Sequence, residues 1–166
     1  FALTSLEEKE YFSYGTLQQD LAAIRDHYQD QGYAYVNVNP LTRIDPVEKK
    51  VHTTYDIQKG SKVYFGRVLI DGNTKTRDKV IRRELTLEEG TLFSNKAIRI
   101  SKQRVTRLGF FEKVEITTQR GVRDDLIDAV VRVAERPTGT FNAGVGFSSV
   151  DRILANLQVS QNNLLG

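Results

Sequence analysis

No cysteine occurs among the 166 residues, so disulfides and thiolate metal sites are excluded. Methionine is missing too, even as an initiator, which predicts a piece cut or processed from something longer. No apolar run approaches the roughly 18–20 residues that a membrane-spanning helix needs, and no signal peptide is legible. A one-sided charge is also lacking, since 24 basic against 21 acidic residues leave only +3. That balance argues against a nucleic-acid partner, because such partners select large basic surfaces. What remains is 39% hydrophobic and 27% charged, the composition of a soluble globular chain.

The most informative feature is a stretch used twice. Leu108-Gly109-Phe110-Phe111 opens an alternating strand, and Gly32-Tyr33-Ala34-Tyr35 does the same 77 residues earlier. Each time a helix-patterned run ends at glycine, aromatics follow and a strand begins. Glycine just past a helix supplies the left-handed conformation, and the aromatics anchor the outgoing strand. A segment at fixed period marks a structural unit used twice. The expected division is residues 1–60, 61–137 and 138–166.

In the first unit, Leu17, Leu21, Ile24 and Tyr28 form one apolar helical stripe from Thr16 to Gly32, with Asp20, Arg25 and Asp26 on the other side. Strands are expected over Tyr33–Val38 and Val51–Gln58, an antiparallel hairpin with a long connection, in which Pro40 and Asp45-Pro46 mark turns or an irregular edge. Lys59-Gly60-Ser61-Lys62 is linker-like; four residues restrict the relative orientation of the units, although hinge motion is the default.

The second unit reads as β-α-α-β-β. A strand Val63–Ile70 ends in the turn Asp71-Gly72-Asn73. A helix over Thr76–Leu87 closes at Gly90, and Ser94 is the expected N-cap of a second helix ending at Gly109. Strand Glu112–Thr118 turns through Gly121–Asp125 into a last strand that buries Ile127, Ala129, Val131 and Val133. The expected fold class is α+β: a three-stranded mixed sheet with two helices on one face. Only 31 residues precede Gly32, so the first unit should lack its opening strand and much of its first helix.

After Arg136-Pro137-Thr138-Gly139 the pattern changes. Phe141, Ala143, Val145 and Phe147 alternate with Asn142, Gly144, Gly146 and Ser148. A turn over residues 149–152 leads to a second run, in which Ile153, Ala155, Leu157 and Val159 alternate with Leu154, Asn156, Gln158 and Ser160. Such alternation is the signature of transmembrane β-barrel strands; the plainer reading is a soluble two-stranded extension. An isolated hairpin is marginal in water. Residues 140–160 are therefore expected to pair with another chain or adopt a non-native arrangement.

These pieces, in this order, resemble the BamA family of outer-membrane protein assembly factors, whose helical repeats are POTRA domains. The resemblance is carried by the tandem repeat and by Ile70-Asp71-Gly72-Asn73, Arg82-Arg83-Glu84, LGFF, Ala134–Gly139, Phe141–Phe147 and the closing Asn163-Leu164-Leu165-Gly166. It implies the last two POTRA domains, the first truncated, directly before a barrel. It further implies a scaffold on the periplasmic face of a Gram-negative outer membrane, held there by the barrel. Partners would be accessory lipoproteins and unfolded outer-membrane protein clients. A secretion or organelle-import pore is the alternative within the superfamily; a basic nucleic-acid-binding α+β domain is the alternative outside it.

Nothing looks catalytic, and no cofactor or metal is expected. His27 and His52 sit on different elements without a cluster at ligand spacing. Gly144-Val145-Gly146 lacks the helix that a phosphate loop requires. Docking is better supported. An exposed edge strand pairs with extended polypeptide largely independently of its sequence, and the candidate edges are Val114, Glu115, Ile116, Thr117 and Tyr35, Val36, Asn37. Against this, outward Lys113 and Glu115 are the sort of residues that discourage edge pairing. The resemblance places a lipoprotein site on the charged first helix of the second unit, at Arg77, Arg82, Arg83 and Glu84. Gly32, Gly72, Asn73, Gly109, Phe110 and Phe111 are the expected structural corners.

Overall fold

A computed structural model describes residues 3–4, 11–137, 139–146 and 154–161. The first unit begins with α1 (Tyr14–Gln29), where the Ser13 side chain accepts from the Thr16 amide. Its stripe Leu17, Leu21 and Ile24 is buried as the periodicity requires. Opposite lie β1 (Asn37–Asp45) and β2 (Lys50–Gln58), paired antiparallel from Asn37–Gln58 to Asp45–Lys50. Among the described residues this unit has one helix and two strands, without an opening strand.

Three expectations for this unit need correction. The strand begins at Asn37 and not Tyr33, because the chain makes further turns after Gly32: Tyr33 N–H donates to Tyr28 O and Val36 N–H to Tyr33 O. Pro40 lies inside β1, as the edge alternative allowed, because an edge strand tolerates its missing donor. The connection is short, residues 46–49, closed by Asp45 Oδ1 accepting from the Val47 and Glu48 amides. Asp20 is not on the polar face; it is 1% exposed and accepts from Tyr55 Oη at 3.1 Å. Burial, with Asp20 beside it, pushes the Tyr55 hydroxyl up to about 12.

The second unit carries β3 (Tyr64–Asp71), α2 (Asp78–Arg82), α3 (Asn95–Arg107), β4 (Phe111–Arg120) and β5 (Leu126–Glu135). β5 is central, parallel to β3 and antiparallel to β4. Its inward residues Ile127, Ala129, Val131 and Val133 meet Phe65, Ile81 and Val105 in a core closed by Phe93 and Phe111. The first helix is much shorter than the expected 76–87. Beyond Arg83 the chain leaves the helix, and the Thr86 amide and hydroxyl bond to Ser101 Oγ and Ala97 O on α3 instead. That detour buries Leu87. Ser94 caps α3 as expected, accepting from the Ala97 amide.

Gly109 (φ +77°) turns α3 directly into β4, with Phe110 and Phe111 edge to face at 6.4 Å. Gly72 (φ +89°) is required twice over, because a Cβ there would stand 2.0 Å from Val133 O. Asn73 Nδ2 then bridges Thr76 O and Asp78 Oδ1 at the start of α2.

β6 (Gly139–Gly146) and β7 (Leu154–Gln161) form a separate antiparallel pair. Phe141 faces Val159, Ala143 faces Leu157 and Val145 faces Ala155, which gathers one apolar face. Phe141, Val145, Leu157 and Val159 on it are all about 70% exposed. The expected turn at 149–152, with Phe147 and Ile153, lies outside the described residues.

The segment leading into β6 is anchored at its start. Glu135 accepts from Thr74 Oγ1 and from the Lys75 and Thr76 amides, and Arg136 Nε donates to Gly109 O. Burial by itself would raise the Glu135 carboxyl, but the donors from Thr76, Thr74 and Lys75 outweigh it and bring it down to about 2. A carboxyl depressed on folding stabilises the fold above its ordinary 4.5 and loses that contribution as pH falls towards 2. Glu135→Gln should cost about 1–3 kcal/mol near neutrality. In urea unfolding, its deficit relative to the parent chain should shrink through that acid window.

Candidate functional site

The sheet of the second unit has two edges, and they are treated oppositely. On β3, Phe65 N–H donates to Thr91 O, Phe65 O accepts from Gly90 N–H, Val68 N–H donates to Glu89 Oε1, and Val68 O accepts from Arg82 Nη2. The loop before α3 and one arginine of α2 therefore cover this edge. On β4 the outer side has no backbone partner among the described residues. Gly121 N–H donates to Leu126 O, and antiparallel ladders alternate. The amides and carbonyls of Val114, Ile116, Thr118 and Arg120 consequently point outward from the sheet. Lys113 and Glu115 are ion-paired with each other at 2.8 Å; the Lys113 ammonium holds the Glu115 carboxyl below its usual range.

Along Ile116–Arg120 the edge opens into a cleft of about 490 Å³. Its opposite wall is Ala34 and Tyr35 of the first unit, and its base includes Phe93, Ile98 and Ile127. The two candidate edges read from the sequence thus meet, but not as two strands. Ile116, Thr117 and Tyr35 line one cleft, whereas Val36 is buried under α1 and Asn37 opens β1. Tyr35 itself lies in a turn and is exposed.

The units are joined by polar groups that sequence reasoning missed. Asp30, the C-cap of α1, accepts from Ser94 Oγ at 3.1 Å and from the Lys96 amide at 2.7 Å. Asp26 accepts from Asn95 Nδ2 at 2.9 Å and from Arg99 Nη1 at 3.0 Å. Carboxylates are unfavourable at the C-terminal end of their own helix and favourable at the N-terminal end of another. That mismatch was the available signal. Gly32 O accepts from the Val63 amide, and the Leu92 side chain fills the space where a Cβ on Gly32 would sit. Lys59 of the linker lies 5.0 Å from the Tyr28 ring, and Lys62 lies 5.6 Å from that of Tyr33. Gln29 Nε2 holds the Ala34 carbonyl at 3.2 Å, fixing the wall of the cleft.

The charged group on α2 is partly committed elsewhere. Arg82 covers Val68 O, and Arg83 pairs with Glu84 at 3.4 Å. Arg77 stands exposed at the N-cap of the helix. His27 bonds to Gln31, and His52 lies exposed on β2; among the described residues no group of side chains is arranged to hold a metal.

A family model named POTRA, described as a surface antigen variable number repeat, matches residues 2–60 and again 63–136. The chain belongs to the POTRA family. It is similar to the outer membrane protein assembly factor BamA of Nitratidesulfovibrio vulgaris, 34% identical over 160 residues, 96% of this chain and 20% of that protein. It spans about a fifth of the length of such curated relatives. Among solved structures it resembles BamA from Haemophilus ducreyi lacking POTRA domains 1–3, at TM-score 0.80 and 29% identity, over 98% of this chain and 31% of that one. It also resembles Haemophilus influenzae BamA POTRA3–5, at TM-score 0.72 and 27% identity, over 78% of this chain and 52% of that one.

The contrast between the edges of the second POTRA sheet has a direct readout. Amide hydrogens of Ile116 and Thr118 should exchange at least about tenfold faster than those of Glu115 and Thr117, which face β5. Glu89→Ala should speed exchange at Val68 and leave β4 unchanged.

Proposed function

We propose that this chain is the barrel-proximal part of an outer-membrane protein assembly factor of the BamA type. Residues 1–60 belong to the penultimate POTRA domain; 61–137 are the final one; 138–166 begin the barrel. The observation that carries the reading is the run from the second POTRA sheet through Arg136-Pro137 into a strand pair on which Phe141, Val145, Leu157 and Val159 are uncovered. Exposed apolar area of that kind belongs against another surface, and alternation with small polar residues fits lipid on one side and a lumen on the other. Likeness to a BamA whose first three POTRA domains are absent supports the same placement.

In this reading the domains work without catalysis, on the periplasmic face of a Gram-negative outer membrane, as a scaffold for folding and inserting β-barrel proteins. Accessory lipoproteins dock around α2, through Arg77 and Arg83 at its two caps and Glu84 just beyond it. Arg82, fastened to β3, shapes that surface more than it contacts a partner. Unfolded clients add as strands to the free edge of β4.

Glu84→Lys should weaken capture of accessory lipoproteins from outer-membrane extracts by up to about fivefold, the worth of one exposed ion pair. Unchanged capture would remove α2 as the docking site. By light scattering the 166-residue chain should self-associate through its uncovered hairpin, and a version lacking 140–166 should be monomeric. Two equally monomeric chains would contradict that role for the hairpin.

A further inference from the structure

We propose that the strand-docking site is a composite of both POTRA units: the cleft between the β4 edge and the Ala34-Tyr35 turn, held in shape by the Asp26/Asp30 joint. Its occupant is an uncharged strand of alternating apolar and small polar residues, the chemistry of β6 and β7 themselves. The inference rests on the client-docking reading above and adds where the strand sits, what it looks like and what controls access.

Three observations fix the occupant. The outward amides and carbonyls of Ile116, Thr118 and Arg120 ask for extended backbone, and β3 is a poorer edge because its outward groups at Phe65 and Val68 are already bonded. The apolar base of Phe93, Ile98 and Ile127 lies to one side of that edge, so every second side chain of an added strand faces it and the rest face water. The charged side chain that lines the cleft is matched, because Arg120 pairs with Asp124. A neutral strand fits such a rim better than an acidic or basic one. From Ile116 to Arg120 the edge is about 13 Å long, enough for some five residues of strand.

Control follows from how the wall is held. Gln29 fastens the Ala34 carbonyl from the last turn of α1, and α1 is fastened to the start of α3 by Asp26 and Asp30. Asn95 takes part in both, lining the cleft while donating to Asp26. Loosening the joint moves Tyr35 away from β4 without touching the edge itself.

The test uses the 166-residue chain and a labelled peptide with the sequence of residues 154–161, beside a peptide of the same composition with the alternation scrambled. The parent chain should bind the first peptide saturably, protect the Ile116 and Thr118 amides from exchange, and bind the scrambled peptide more weakly. Thr118→Pro removes one outward donor and no bond to β5, and should weaken binding about tenfold, whereas Thr118→Ala should not. Tyr35→Ala, and separately Asp26→Ala with Asp30→Ala, should each weaken it about fivefold, with circular dichroism showing each variant folded. If Thr118→Pro abolishes binding while the Tyr35 and joint variants bind like the parent, the composite cleft is wrong and plain docking on β4 stands. If the parent binds neither peptide, or Thr118→Pro binds normally, docking on β4 fails as well. Equal binding of the scrambled peptide overturns the assigned occupant.

Discussion

The position of everything around the β4 edge depends on one helix end meeting another. Asp30 closes α1 and, with the same carboxylate, accepts the free Lys96 amide and the capping Ser94 hydroxyl of α3. The partial negative end of one helix alone would repel Asp26 and Asp30; the partial positive end of α3 draws them in. Because α3 belongs to the second unit and packs directly against its sheet, a contact at this end sets where α1 lies relative to β4. The short linker limits the available orientations, and the carboxylates select among them. Gly32 belongs to the same joint: Leu92 occupies the place of its missing side chain, so the corner that ends α1 is also the surface on which the second unit rests.

Edge management gives this geometry its consequence. A small sheet with both sides open would be a liability, since any extended chain would pair with it. Here β3 is covered by the 89–91 loop and by Arg82, leaving β4 as the side open to a partner. Lys113 and Glu115, the charges on that strand, are matched to each other. The same economy appears where the chain leaves the second unit. Glu135 and Arg136 bind the start of α2 and the Gly109 corner, so the segment before β6 is fastened to both ends of the helical layer.

Much of this was legible in the sequence where the deciding forces are local. Ser94 as an N-cap, Gly72 as a turn, Gly109 as a left-handed corner, and the alternation of β5 depend on neighbours within a few residues, and the structure shows each. The uncovered face of β6 and β7 followed from the same period-two pattern. What was hidden depends on distant partners. The shortness of α2 results from Thr86 bonding to α3, which no helix propensity records. Asp20 looked like a surface residue because its partner, Tyr55, is 35 positions away. Tyr35 was placed on a strand because it follows a glycine that resembles Gly109; the two glycines do different work. One leads straight into a strand, and the other, pressed against Leu92, needs four further residues before β1 begins.

The central claim is that the two POTRA units form one body through the Asp26/Asp30 joint. Residual dipolar couplings measured on the 166-residue chain test it most directly. Fitted separately to α1 with β1–β2 and to β3–β5 with α3, the couplings should yield a single alignment tensor, and Asp26→Ala with Asp30→Ala should split it into two. Two distinct tensors in the parent chain, or one unchanged tensor in the double variant, would contradict the account.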